Sequence, residues 1–242
     1  GLGFKLLLNG EEENGLKKID EGFNLMLELA NPEHVNEGLN TFISNLEKMW
    51  RFDLSKKYLE IINNNFPKNA DYYDALAYAA VKLGDYTTAL SGILKAIELE
   101  PNNLNFKANL GWVHLNAGNL KEASAVLDEA SRLDSKNENV KYNLKVIKYL
   151  KEHGGKFIDY LLRPVDTENL DKLIDKDKWD EAKEISDSVN AERSEAFALY
   201  LLQEKKKKGV KIHDLKENAK ILFNFVREIE GSGCDFMVND NM

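Results

Sequence analysis

The sequence predicts an all-α solenoid of stacked antiparallel helix pairs, and three observations carry that prediction. Pro67 and Pro101 stand 34 residues apart, each followed by a short polar stretch (Lys68-Asn69 and Asn102-Asn103) and each preceded by an amphipathic run. Apolar residues on either side of Gly84 and Gly118 follow helical spacing, break, and restart in the same register. The composition, 31% charged with four prolines in 242 residues, suits a mostly helical chain.

Taking the elements in order, an amphipathic helix over Leu16–Leu29 opens the array, with Leu16, Ile19, Phe23, Leu25, Met26 and Leu29 as its apolar residues. The first and most degenerate repeat places Leu39, Phe42, Ile43 and Leu46 on one helix. A turn follows at Met49-Trp50-Arg51-Phe52, and then Ser55, Leu59 and Ile62 on the return helix. The second runs from Tyr73, Leu76, Ala77 and Ala80 through Leu83-Gly84-Asp85-Tyr86 to Ala89, Ile93 and Ala96. The third runs from Lys107, Leu110, Gly111 and His114 through Ala117-Gly118-Asn119-Leu120 to Ala123, Leu127 and Ala130. Small residues at Ala77 or Gly111, and at Ala89 or Ala123, let paired helices approach closely. Leu76, Ile93, Leu110 and Leu127 fill the layer between repeats. One pair alone cannot bury both faces, so at least three must stack.

Past the third repeat, Val140, Leu144, Ile147 and Leu150 mark a helix over 138–152 that Gly154-Gly155 stops. Phe157–Leu162, Leu170–Ile174, Trp179–Val189, Ala191–Lys206 and His213–Ile229 also read as helices. The expected organisation is an N-terminal helix or degenerate repeat at 1–35, the array with its following helix at 36–153, a C-terminal helical extension at 154–230, and a flexible tail at 231–242.

The repeated residues resemble the tetratricopeptide repeat: a 34-residue helix-turn-helix with an aromatic, then Leu-Gly, Tyr, Ala, Phe and Ala, and a closing Pro. Tyr73, Leu76, Gly84, Tyr86, Ala89, Ala96 and Pro101 match in one copy, and Leu110, Gly111, Gly118, Ala123, Leu127 and Ala130 in the next. Ala80 and His114 depart where the family prefers Tyr, Lys107 sits in the aromatic slot, and Ser135 replaces the closing Pro. The resemblance covers residues 36–135 and implies a right-handed superhelix whose first helices line a concave surface.

It therefore implies a protein-protein interaction module or scaffold that holds a peptide or partner protein in that groove. The partner-binding residues it implies are Asn40, Ser44, Lys48, Asp71, Asp74, Tyr78, Lys82, Asn105, Trp112, Asn116, Asn139 and Tyr142, with Ala108 and Val146 beside them. Such a mixture of amides, charges and aromatics suits an extended peptide or a helix. One subset of the family grips acidic chaperone tails through a clamp of Lys, Asn and Arg. The matching positions here, Asn40, Ser44, Ala75, Asn105 and Asn109, hold no cation, and a shift of one repeat is no better. The expected partner is neutral or basic.

A net charge of −8 argues against a nucleic-acid partner, and Lys205–Lys208 with Lys211 reads as a solvated helix end. The four histidines, His34, His114, His153 and His213, have no metal-ligand spacing, and His114, in a packing slot, is expected to be a satisfied structural residue. The single cysteine, Cys234, excludes an intramolecular disulfide and lacks a neighbouring His, so neither an oxidising compartment nor a nucleophile is implied. Gly231-Ser232-Gly233 lacks the strand-to-helix context of a phosphate cradle, and carboxylates such as Glu11–Glu13, Asp175, Asp177 and Asp180 read as solvation. No enzyme, cofactor, metal or membrane insertion is expected, and the cytoplasm is the expected compartment. The chain opens at Gly1, as a processed protein or a fragment would, and a removed signal would leave no trace. The alternatives are a regulatory or catalytic helical part of a larger enzyme, or a self-assembling homo-oligomer.

Overall fold

A computed structural model describes residues 1–29 and 35–161. The helices expected beyond residue 161, the Lys205–Lys208 stretch, Cys234, His34 and His213 lie outside the described residues. The described secondary structure is entirely helical: α1 (Leu2–Leu8), α2 (Glu12–Leu29), α3 (Val35–Lys48), α4 (Phe52–Asn65), α5 (Ala70–Lys82), α6 (Tyr86–Leu99), α7 (Leu104–Asn116), α8 (Leu120–Leu133), α9 (Glu138–His153) and α10 (Phe157–Leu161). Each helix packs on the next in sequence, and α5 on α7 and α7 on α9 besides, which is the contact pattern of a solenoid. No described helix is long and apolar enough to cross a membrane.

Repetition extends to the caps. Asn69, Asn103 and Asn137, spaced by the 34-residue period, accept hydrogen bonds from the backbone N–H of Asp71, Asn105 and Val140 and so start α5, α7 and α9. Each such cap is worth about 1 kcal/mol. The turns inside the three repeats share one bonding pattern: Arg51 N–H donates to the Leu46 carbonyl, Asp85 to Ala80 and Asn119 to His114, all at 2.9 Å. That closure needs a left-handed residue, supplied by Gly84 (φ 69°), Gly118 (φ 80°) and, in the first repeat, Trp50 (φ 60°).

Among the described residues, three apolar cores run along the stack. The front one joins Leu7, Ile19 and Phe23 to Leu39, Leu46, Tyr58 and Ile62. The middle one gathers Ala77, Ala80, Ala89, Ile93, Ala96 and Phe106, and the rear one Leu115, Leu127, Ile147, Leu150, Phe157 and Tyr160. Polar ties connect the layers. Arg51 donates to Glu12 at 2.8 Å and to both oxygens of Asp53, so Glu12 serves a half-buried ion pair and not solvation alone. Lys56 of α4 reaches Asp85, the N-cap of α6, at 2.6 Å. The Lys56 contact, helped by bonds from Thr88, holds the Asp85 carboxyl down at about 2. Because the folded value is depressed, this tie stabilises the fold above the ordinary carboxylate range and is lost as pH falls toward 2. Its worth is roughly 1–2 kcal/mol after solvent screening.

Candidate functional site

The first helix of each pair, α3, α5, α7 and α9, contributes to one open cavity of about 510 Å³, to which α4 adds only Leu59. Eight of the twelve residues expected in the groove line it: Asn40, Ser44, Asp71, Asp74, Tyr78, Trp112, Asn139 and Tyr142. The other four do not. Lys48 is exposed at the end of α3, Asn105 is exposed near the start of α7, and Asn116 donates its side-chain amide back to the Trp112 carbonyl. Lys82 is buried beside the cavity with Nζ 5.2 Å from the Tyr78 ring centre and 5.8 Å from that of Trp112. Ala108 and Val146 are fully buried and not in the groove, since the helices of adjacent repeats close over them.

A strip of aromatic rings in contact runs from the turn of the first repeat to this cavity, which Tyr78 and Trp112 line. Trp50 meets Phe52 edge-on at 6.5 Å, Phe52 meets Tyr78 edge-on at 5.9 Å, and Tyr78 stacks on Trp112 at 5.7 Å with 19° between the planes. Tyr78 remains 39% exposed, so the strip presents ring surface to solvent. The 34-residue period explains the stacked pair, because it sets equivalent residues of neighbouring first helices side by side.

Electrostatically the cavity is acidic. Glu47, Asp71 and Asp74 line it, and among the described residues no lysine or arginine does. Both oxygens of Asp74 accept from the Asn109 amide, at 2.9 and 3.0 Å. Burial nevertheless pushes the Asp74 carboxyl up, with Asp71 adding to the shift. Burial also raises Glu47, against the opposing effects of a bond from Ser55 and the charge of Lys82. Asn143, 4% exposed, donates to the Ala108 carbonyl at 3.3 Å, and its Oδ1 is buried without a hydrogen-bond partner.

His114 differs from expectation. Its Nδ1 is buried without a hydrogen-bond partner, and burial lowers its pKa, because the repeat slot it fills is shaped for an aromatic ring rather than for a polar one.

The family profile of the tetratricopeptide repeat matches residues 80–145, which span the end of α5 through most of α9. Over those residues the chain is similar to the tetratricopeptide repeat. Among solved structures, a mutant form of MamA is similar at 19% identity, covering 63% of this chain and 85% of its own, with a TM-score of 0.41. MamA from MSR-1 is similar at 16% identity, 80% and 94% coverage and a TM-score of 0.42. A tetratricopeptide repeat protein from Parabacteroides merdae ATCC 43184 is similar at 13% identity, 96% and 91% coverage and a TM-score of 0.48. A search of curated proteins returned no significant match.

Within the repeats, sequence reasoning missed Glu47 as a cavity residue. The period assigns its slot to Val81 and Leu115, both buried and apolar, and only the oddity of a carboxylate there signals a groove residue. Asn109, and Asn143 in the register shifted by one repeat, had entered only as positions of a chaperone-tail clamp.

Proposed function

We propose that residues 36–153 form a protein-interaction unit that holds a peptide or a helix of a partner protein in the cavity of the first helices. The carrying observation is the stacked Tyr78–Trp112 pair, which gives an open groove a rigid, partly exposed aromatic platform. Rings of this kind dominate binding energy where they are desolvated by a partner, and the amides around them suit main-chain hydrogen bonds. Three carboxylates in the lining favour a neutral or basic partner over an acidic one. Holding a partner needs no catalytic group, and a chain with a single cysteine, which depends on no intramolecular disulfide, suits a non-catalytic role in the cytoplasm. The helices α1 and α2 would then extend the array at one end and α10 at the other.

The test is panning of a random nonapeptide display library against the wild type, with enriched peptides titrated against the Tyr78→Ala, Trp112→Ala double variant by fluorescence polarisation. Affinity should fall about 30-fold or more, in line with loss of an aromatic hot spot. Peptides that bind both proteins equally would place recognition elsewhere.

A further inference from the structure

Resting on the groove reading above, the geometry points to a more specific occupant: we propose that the cavity takes an arginine side chain of the bound segment. Every charged group in its lining is a carboxylate. Glu47, Asp71 and Asp74 bring three carboxylates from α3 and α5, and Asn143 brings from α9 an amide oxygen without a partner. The Asn143 amide is oriented by its bond to the Ala108 carbonyl, so its oxygen is the free end. A ligand that satisfies such a set must bring several donors and positive charge.

Two further features select guanidinium over ammonium. The lining is rich in flat rings, Tyr78, Trp112 and Tyr142, against which a planar cation can stack. The carboxylates also present paired oxygens, which the guanidinium fork can match with two parallel bonds and a compact ammonium cannot. Charge balance agrees. Lys82, buried beside the rings, supplies positive charge toward Glu47, while Asp74 accepts from the neutral Asn109 amide and has the like charge of Asp71 beside it. An arriving cation would relieve that imbalance. The cavity, at about 510 Å³, has room for the side chain and the backbone that carries it.

The experiment uses four nonapeptide sublibraries, random except for a central Arg, Lys, Gln or Glu, and measures the retained fraction on immobilised full-length protein. Retention of the Arg set should exceed the Gln set about tenfold and exceed the Lys set. Both Asp74→Asn and the solvent-exposed Asp71→Asn should narrow the Arg-to-Gln ratio. Circular dichroism checks the fold of Asp74→Asn, and Asp71→Asn decides the matter if that variant does not fold. Equal retention of Arg and Gln sets on the wild type, both above the Tyr78→Ala, Trp112→Ala variant, would overturn the arginine pocket while leaving the groove intact. Retention no greater than on that double variant for any set would overturn both. A preference for the Glu set, or an Arg preference untouched by either Asn substitution, would also overturn it.

Discussion

The first repeat and the two behind it share a period but fill it with opposite residues. Where the second repeat has Ala77 and the third Gly111, the first has Ile43. Where the second has Gly92, the first has Tyr58. Small residues let α5 and α6 run close together, and a Cβ added at Gly92 would stand 2.9 Å from the Tyr73 carbonyl oxygen. In the first repeat α3 and α4 stand further apart, and Phe42, Phe23 and Tyr58 fill the space with ring centres 4.7–5.2 Å apart. One period thus tolerates two packing solutions, provided that each pair of facing slots is complementary in volume.

The largest effect should come from emptying the aromatic solution. Tyr58 is fully buried and donates to Asp20 at 2.6 Å, so Tyr58→Ala should cost about 4 kcal/mol in urea unfolding, whereas Tyr58→Phe, which keeps the ring, should cost about 1. Similar losses for the two would mean that the bond to α2, and not ring packing, holds the first repeat.

Next comes crowding of the small-residue solution. A Cβ at Gly111 would lie 2.4 Å from Leu127 Cγ, so Gly111→Ala should destabilise by about 2 kcal/mol. Combined with Leu127→Ala, the loss should be smaller than the sum of the two single losses, since removing that side chain makes the room.

The smallest effect lies in the turns. At Gly84 and Gly118 an added Cβ meets nothing within 4 Å, so Gly84→Ala and Gly118→Ala test backbone strain alone. Each should cost about 1 kcal/mol, read as a shift in the thermal midpoint. The first repeat bears this strain at Trp50, whose ring meets Phe52 edge-on.

Much of this was legible in the sequence because the period is carried by local chemistry. Pro67, Pro101, Gly84 and Gly118 mark helix ends on their own, and the helix expected at 138–152 is α9 almost to the residue. Residues whose role depends on a distant neighbour were not legible. The Leu6-Leu7-Leu8 run gave no sign of α1, which forms where Gly3 and Gly15 let two helices touch and Leu7 is buried. Arg51 reads as a turn residue until Glu12 is seen beside it. In the groove, Tyr78 and Trp112 followed from the period, but Glu47 and the unpartnered Asn143 oxygen depend on which side chains the stacked helices leave uncovered.

The aromatic strip also makes the molecule its own optical probe. Two of the three tryptophans, Trp50 and Trp112, sit at its two ends, with Tyr78 against one indole and Lys82 near both of those rings. Indole emission responds to nearby charge and hydration, so an occupant displacing water from Tyr78 and Trp112 would change the colour and yield of fluorescence without any attached dye.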